Sequence, residues 1–174
     1  MEINITSYTD NDWEDLSDFI SDNWDKNHPL LNKKVFDWQF KGFGNENKNI
    51  KFPLLKNGTK IIGMRGVIPG VYQIPINKNT MSEYQGGSLA MWMVDKKYRG
   101  QKLGLKLHMY MQKNTPVITG AGSNPKTSLP IYSKNNFEIL NSMNRYVLPL
   151  TVKYNFLLPT LVNTEEIKCL LEKI

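Results

Sequence analysis

Residues 91–113 read MWMVDKKYRGQKLGLKLHMYMQK, and this stretch decides the fold. The apolar run over residues 89–94 has the length and flanks of a buried strand. It stops at Asp95, where a short basic loop, DKKYRG, occupies residues 95–100. From Gln101 a helical pattern begins, with Leu103, Leu107, Tyr110 and Met111 at helix spacing and Lys102, Lys106 and Lys113 on other faces. The order strand, glycine-containing basic loop, helix aims unpaired backbone N–H groups and the positive end of a helix dipole at one point. That geometry suits a phosphate or pyrophosphate. Gly100 serves equally well if it only permits a tight turn. No Gly-Lys-Ser/Thr follows four variable residues, so this is not a Walker motif, and no G-x-G-x-x-G dinucleotide fingerprint occurs.

The 174 residues are enough for one ordinary domain with a proper core; 40% hydrophobic and 22% charged composition indicates a globular chain rather than a disordered one. The net charge is +6, and the lysines are scattered with one dense patch, Lys96, Lys97, Arg99, Lys102 and Lys106, which favours an anionic ligand. Zinc-finger spacing, a basic helix and an aromatic-basic RNA signature are all missing, so no nucleic-acid partner is expected. The one cysteine, Cys169, excludes an internal disulfide and cannot build a metal cluster by itself. No metal is therefore expected. No apolar run approaches a membrane span and the N-terminus lacks a charged-then-apolar signal, so the expected setting is cytoplasmic, with no membrane partner.

Working outward, residues 2–6 alternate as a first strand. Thr9 or Asp10 can cap a helix with an apolar stripe of Trp13, Leu16, Phe19, Ile20 and Trp24. Its other face, Asp12, Glu14, Asp15, Asp18 and Asp22, reads as solvated. A second helix over residues 33–40 offers Val35, Phe36, Trp38 and Phe40, read as core, with one wall of an acceptor pocket as the alternative. A loop is expected at 42–48. Strand-like runs at 50–56 and 60–68 flank Asn57-Gly58, a strong hairpin signal. Pro69-Gly70 then punctuates, 71–76 continues as a strand, and 77–79 turns the chain into 81–94. After the central helix come a short strand at 116–119, a loop over 120–125, a short helix at 127–134, closing strands at 137–140 and 145–150, and an amphipathic helix at 163–174. The fold class is α+β or mixed α/β, with a mostly antiparallel sheet flanked by helices.

Three features resemble the GNAT superfamily of acyl-CoA N-acyltransferases. MWMVDKKYRGQKLGLKL is similar to that family's strand–"V-x-p-x-x-R-G-x-G-x-G"–helix motif, matching at Arg99, Gly100 and Gly104, whereas Lys102 stands where glycine is usual. NPKTSLPIYSKNNF, residues 124–137, is similar to the "N…Y-x-k-x-G-F" segment, matching at Tyr132 and Phe137, whereas Asn136 replaces glycine. The third is the order of elements. The resemblance implies a single domain over residues 1–174, with 151–174 as a C-terminal extension. It implies acetyl-CoA or another acyl-CoA as co-substrate, held by Met93, Val94, Arg99, Gly100, Gln101, Lys102, Leu103, Gly104 and Asn124. It also implies Tyr132 as the phenol that protonates the coenzyme A sulfur, a role that fits an ordinary phenol pKa near 10. Glu83, early on the strand that leads to the loop, stands near the usual place of an acidic base; a solvated strand-edge glutamate is the alternative. His108 is read as facing solvent or sheet, and His28 carries little weight.

The expected activity is transfer of an acyl group to the amine of a small molecule, an amino sugar being the preferred class. Acylation of a protein or peptide amine is a second reading. A third is a non-catalytic acyl-CoA-binding or interaction module, suggested by Lys102 and Asn136. In that case the C-terminal helix is a candidate for pairing two copies as a homodimer.

Overall fold

In the computed structural model, residues 3–41 and 52–140 are described. The expected loop at 42–48, the strand at 145–150 and the helix at 163–174 lie outside them. The chain divides into two compact units, Met1–Asn135 and Asn136–Ile174. Of the second, residues 137–140 carry neither helix nor strand, so the closing strand expected there is not formed.

The first unit is built on a five-stranded sheet in the order β1-β2-β3-β4-β5. β1 (Ile3–Ser7), β2 (Pro53–Asn57), β3 (Lys60–Asn77) and β4 (Thr80–Val94) form an antiparallel meander. β5 (Val117–Gly120) then joins β4 in parallel. The α+β expectation is met. The β2–β3 hairpin closes at Gly58-Thr59 between the paired Asn57 and Lys60. Gly58 sits first in that loop at φ 62, the positive value a type II′ turn needs there.

Side-chain alternation along the strands divides the core between two faces. Leu54, Ile61, Met64 and Met91 meet helix α1 (Trp13–Asn23) and helix α2 (Lys33–Lys41) through Leu16, Phe19, Ile20, Phe36 and Phe40. Leu55 and Ile62 meet Leu107 of helix α3 (Leu103–Asn114), with Ile3, Ile5, Tyr98 and Leu103 around them. A short helix α4 (Leu129–Lys134) follows β5.

Four expectations are corrected. Pro69-Gly70 does not punctuate, because β3 runs through it with Pro69 opposite Gly87 and Gly70 opposite Gly86. Past Met64 no described strand pairs with the other edge of β3, and proline is tolerated on an open edge because no ladder bond there needs its N–H. Trp24 and Trp38 are 47% and 62% exposed. Phe36 and Phe40 share one face at i, i+4, and Trp38, two residues from each, lies on the opposite side. Asp12 is not part of a solvated face. It is buried, accepts from the Thr9 backbone N–H at 2.8 Å and hydroxyl at 2.9 Å, and pairs with Lys56.

Candidate functional site

Where β4 leaves β5, the sheet opens. The β4–β5 ladder covers only Gly86–Leu89 against Val117–Gly120, whereas β4 continues to Val94 with β3 as its described partner. Opposite Gly66, β4 carries one extra residue, for Arg65 pairs with Trp92 and Val67 with Leu89. Such a bulge bends the strand and strengthens its twist. The Asp95 N–H donates to the Ile62 carbonyl at 2.9 Å, which fixes the alternation of the antiparallel ladder. Met93 therefore bonds toward β3, and Trp92 and Val94 turn their backbone groups toward the opening. Of the two strand residues assigned to ligand binding, Val94 faces the opening and Met93 does not.

The loop after β4 begins with a 3-10 turn, Lys96–Tyr98, whose cap is the Asp95 carboxylate accepting from the Lys97 N–H at 2.9 Å. Arg99 folds back, its Nε–H donating to the Val94 carbonyl at 2.9 Å. Gly100 follows at φ 82, a conformation that disfavours a side chain. Helix α3 starts two residues later than the periodicity predicts, at Leu103, with Lys102 as its N-cap. Lys102 has φ 58 and ψ 14 and is left-handed. The first helix bond runs from the Lys106 N–H to the Lys102 carbonyl at 3.0 Å. Among the described residues no acceptor meets the N–H groups of residues 100–105. These N–H groups at the positive end of a 12-residue helix, with exposed Lys96, Lys97, Lys102 and Lys106 around them, form a fit for a diphosphate.

In the described chain the non-glycine residues at positive φ are Lys102 and Asn136, the latter at 62°. These are the two positions where the sequence departs from glycine in the motifs above. At both, the backbone takes the left-handed conformation that favours glycine.

A buried cluster of side chains adjoins the opening. Arg65 is 1% and His108 0% exposed, and Tyr132 of α4 is also buried. Arg65 lies 4.5 Å over the Trp92 ring, and one of its Nη2–H groups donates to the Tyr132 hydroxyl oxygen at 2.6 Å. The His108 ring stands 5.2 Å from that of Tyr132 and 5.5 Å from that of Trp92. Trp92 is fixed in turn by its indole N–H, which donates to the Gly104 carbonyl at 3.2 Å. Burial lowers the Arg65 pKa, an effect opposed by the Tyr132 hydroxyl. Burial first, and then the Arg65 charge, pushes His108 down to about 4, so it is a neutral imidazole at pH 7.

Of the expected site residues, Tyr132, Val94 and the 99–104 loop come to one region of the α3 face. Glu83 does not. It is exposed on the β3–β4 ribbon opposite Gln73, and the nine residues to Trp92 span about 30 Å of strand. Asn124 organises the turn into α4. Its Oδ1 accepts from the Lys126 and Thr127 N–H groups at 2.9 and 3.2 Å, and its carbonyl accepts from Leu129 at 3.0 Å. His28 caps a turn, accepting from the Leu30 N–H at 3.2 Å. Two members of the cluster, Arg65 and Trp92, were not anticipated. The signal for Arg65 was present, since it interrupts the otherwise apolar run IIGMRGVI.

The sequence matches no protein-family model, and no curated protein matches it. Solved structures do. A GNAT family acetyltransferase of Staphylococcus aureus aligns over 85% of this chain and 100% of its own, at TM-score 0.58 and 17% identity. The aminoglycoside N-acetyltransferase AAC(6')-Iy, in complex with the bisubstrate analogue CoA-S-monomethyl-acetylneamine, aligns over 84% of this chain and 98% of its own, at TM-score 0.61 and 12% identity. A protein of Bacillus halodurans described as a transcriptional regulator aligns over 84% and 99%, at TM-score 0.59 and 17% identity. The fold is that of the GNAT acetyltransferases.

Proposed function

We propose that this chain, built on the GNAT fold, is an N-acyltransferase that moves an acetyl or other acyl group from acetyl-CoA to the amine of a small molecule. The observation that carries this reading is the loop at residues 99–104. It has a left-handed bend at Lys102 and six N–H groups without an acceptor among the described residues. In the proposed complex these amides take the coenzyme A diphosphate, and the lysine adds charge at its rim. The backbone N–H groups of Trp92 and Val94 polarise the thioester carbonyl in the opening beside β4, stabilising negative charge as it develops. The neutral amine attacks the carbonyl carbon, the C–S bond breaks, and the thiolate takes the phenol proton of Tyr132. The amine gives up its proton to solvent, and Tyr132 is reprotonated. Glu83 has no part in this scheme, given its distance. An amino sugar is the acceptor class we favour, because a fold neighbour is complexed with an acetylneamine-bearing analogue.

The test is calorimetric titration with acetyl-CoA and with coenzyme A lacking its 3′-phosphate, followed by thiol-release assays over a panel of amino sugars and peptides. Saturable acetyl-CoA binding with amine-dependent thiol release is the expected result. No binding of any acyl-CoA would refute the reading. A second reading, a non-catalytic binding module, is favoured by Lys102 and by the fold neighbour described as a regulator. It predicts acyl-CoA binding without turnover on any amine, and no change in biological effect when Tyr132 becomes phenylalanine.

A further inference from the structure

The cluster behind the opening holds a cation that the acyl-transfer scheme has not used. Arg65 is 1% exposed, and no carboxylate pairs with it among the described residues. Its Nε–H is buried and also lacks an acceptor there. Among the described residues its one side-chain hydrogen bond goes to the Tyr132 oxygen at 2.6 Å, and its guanidinium lies over the Trp92 ring. A buried, uncompensated cation is expensive, and an apolar residue of similar volume is often as stable or more so. Stability alone therefore does not account for Arg65.

A guanidinium has only donors. In the bond to Tyr132 the phenol oxygen must accept, so the phenol's own proton is directed to another partner. When that proton leaves, the oxygen becomes an anion 2.6 Å from a guanidinium nitrogen, and a charge-assisted bond replaces a neutral one. Trp92 holds Arg65 from one side and is itself tied to Gly104 at the start of α3. The cation is thus positioned by the same helix whose N-terminus is proposed to bind the diphosphate.

We propose that Arg65 is a positioning residue for Tyr132: it orients the phenol as a proton donor and stabilises the tyrosinate left after the departing thiolate is protonated. The proposal rests on the acyl-transfer reading. In the balanced step the C–S bond breaks, the sulfur takes the phenol proton, and Arg65 holds the phenolate until solvent returns the proton that the amine released.

The experiment compares wild type, Arg65→Met, Arg65→Lys and Tyr132→Phe with two donors, acetyl-CoA and its selenoester analogue, whose selenolate leaves without needing a proton. With acetyl-CoA, Arg65→Met should lower kcat about 10- to 100-fold, with KM within about twofold and a Tm at or above that of wild type. With the selenoester the loss should shrink to less than about threefold, and Arg65→Met should add little in the Tyr132→Phe background. Arg65→Lys, which keeps the charge, should fall between and covers the case in which Arg65→Met does not fold. Equal losses on both donors, or losses that multiply with Tyr132→Phe, would overturn the role of Arg65 while leaving acyl transfer standing. A wild type that releases neither thiol from acetyl-CoA nor selenol from the selenoester would remove the acyl-transfer reading and this proposal together.

Discussion

Replacing Lys102 by glycine separates the backbone of the loop from its charge. Lys102 sits at φ 58, where an L-residue loses about 1–2 kcal/mol relative to right-handed backbone. Glycine removes that strain but loses roughly 0.5–1 kcal/mol more entropy on folding. The net expectation for Lys102→Gly is a gain of about 0.5–1 kcal/mol, or about 1–4 °C in Tm for a chain of this size. The opposite change, Lys102→Val, puts a β-branched side chain in the left-handed region and should lower Tm. The side chain is exposed, so its charge adds to diphosphate binding only as a surface cation does, within about 1 kcal/mol. Acetyl-CoA affinity should then drop no more than about fivefold at low salt in Lys102→Gly, and the difference should fade as salt screens it. Differential scanning calorimetry and titration at two salt concentrations read both effects. A fall in Tm for Lys102→Gly would refute the strain argument. A tighter acetyl-CoA complex would mean that the lysine crowds the loop instead of serving it.

His108, held near 4 against 6.5 in the unfolded chain, contributes stability that is complete above pH 6.5 and is lost as pH falls toward 4. The difference of about 2.5 units corresponds to about 3 kcal/mol; chemical denaturation at pH 7 and pH 4.5 should show it, and His108→Leu should flatten the dependence over that window. At Asp12, burial opposes the charge, but the bonds from Lys56 and Thr9 outweigh it and keep the carboxyl below its usual range. Its stabilisation is present above pH 4 and lost on further acidification. Asp12→Ala removes the acceptor of the Thr9 N–H and hydroxyl and strands Lys56, for a loss of about 2–3 kcal/mol, and adding Lys56→Met should restore part of it in a double-mutant cycle.

The hairpin, the two helical stripes and the strand–loop–helix were legible because each is written in local periodicity and turn chemistry. Phe36 and Phe40 are buried as their spacing requires. Misreadings came where a global feature overrode the local one. Pro69-Gly70 looks like a turn in isolation, yet the cross-strand partners Gly87 and Gly86 draw β3 straight through. Trp38 is apolar in composition but lies on the wrong side of α2. In the candidate site, the strand–basic loop–helix order was readable, although the helix starts at Leu103, two residues later than its periodicity predicts. The cluster of Arg65, Trp92, His108 and Tyr132 was not, since 67 positions separate Arg65 from Tyr132 and only the packing of α3 and α4 against the sheet brings them together. Glu83 was singled out because it stands near the family's usual acidic position early on the strand, and along an extended strand the nine residues to Trp92 become a large separation in space.

The unequal lengths of the strands also set how the molecule opens. β3 and β4 go on pairing with each other from Val71 and Gln85 out to Asn77 and Thr80, beyond the last residues that β2 and β5 reach. Out there most side chains are exposed, and separating the two strands breaks ladder bonds while uncovering little apolar surface. The ribbon should therefore fray as a unit of its own, with amide exchange governed by local opening. The amides of Gly63 and Met64, each paired with β2 on one side and β4 on the other, should exchange only when the whole sheet comes apart.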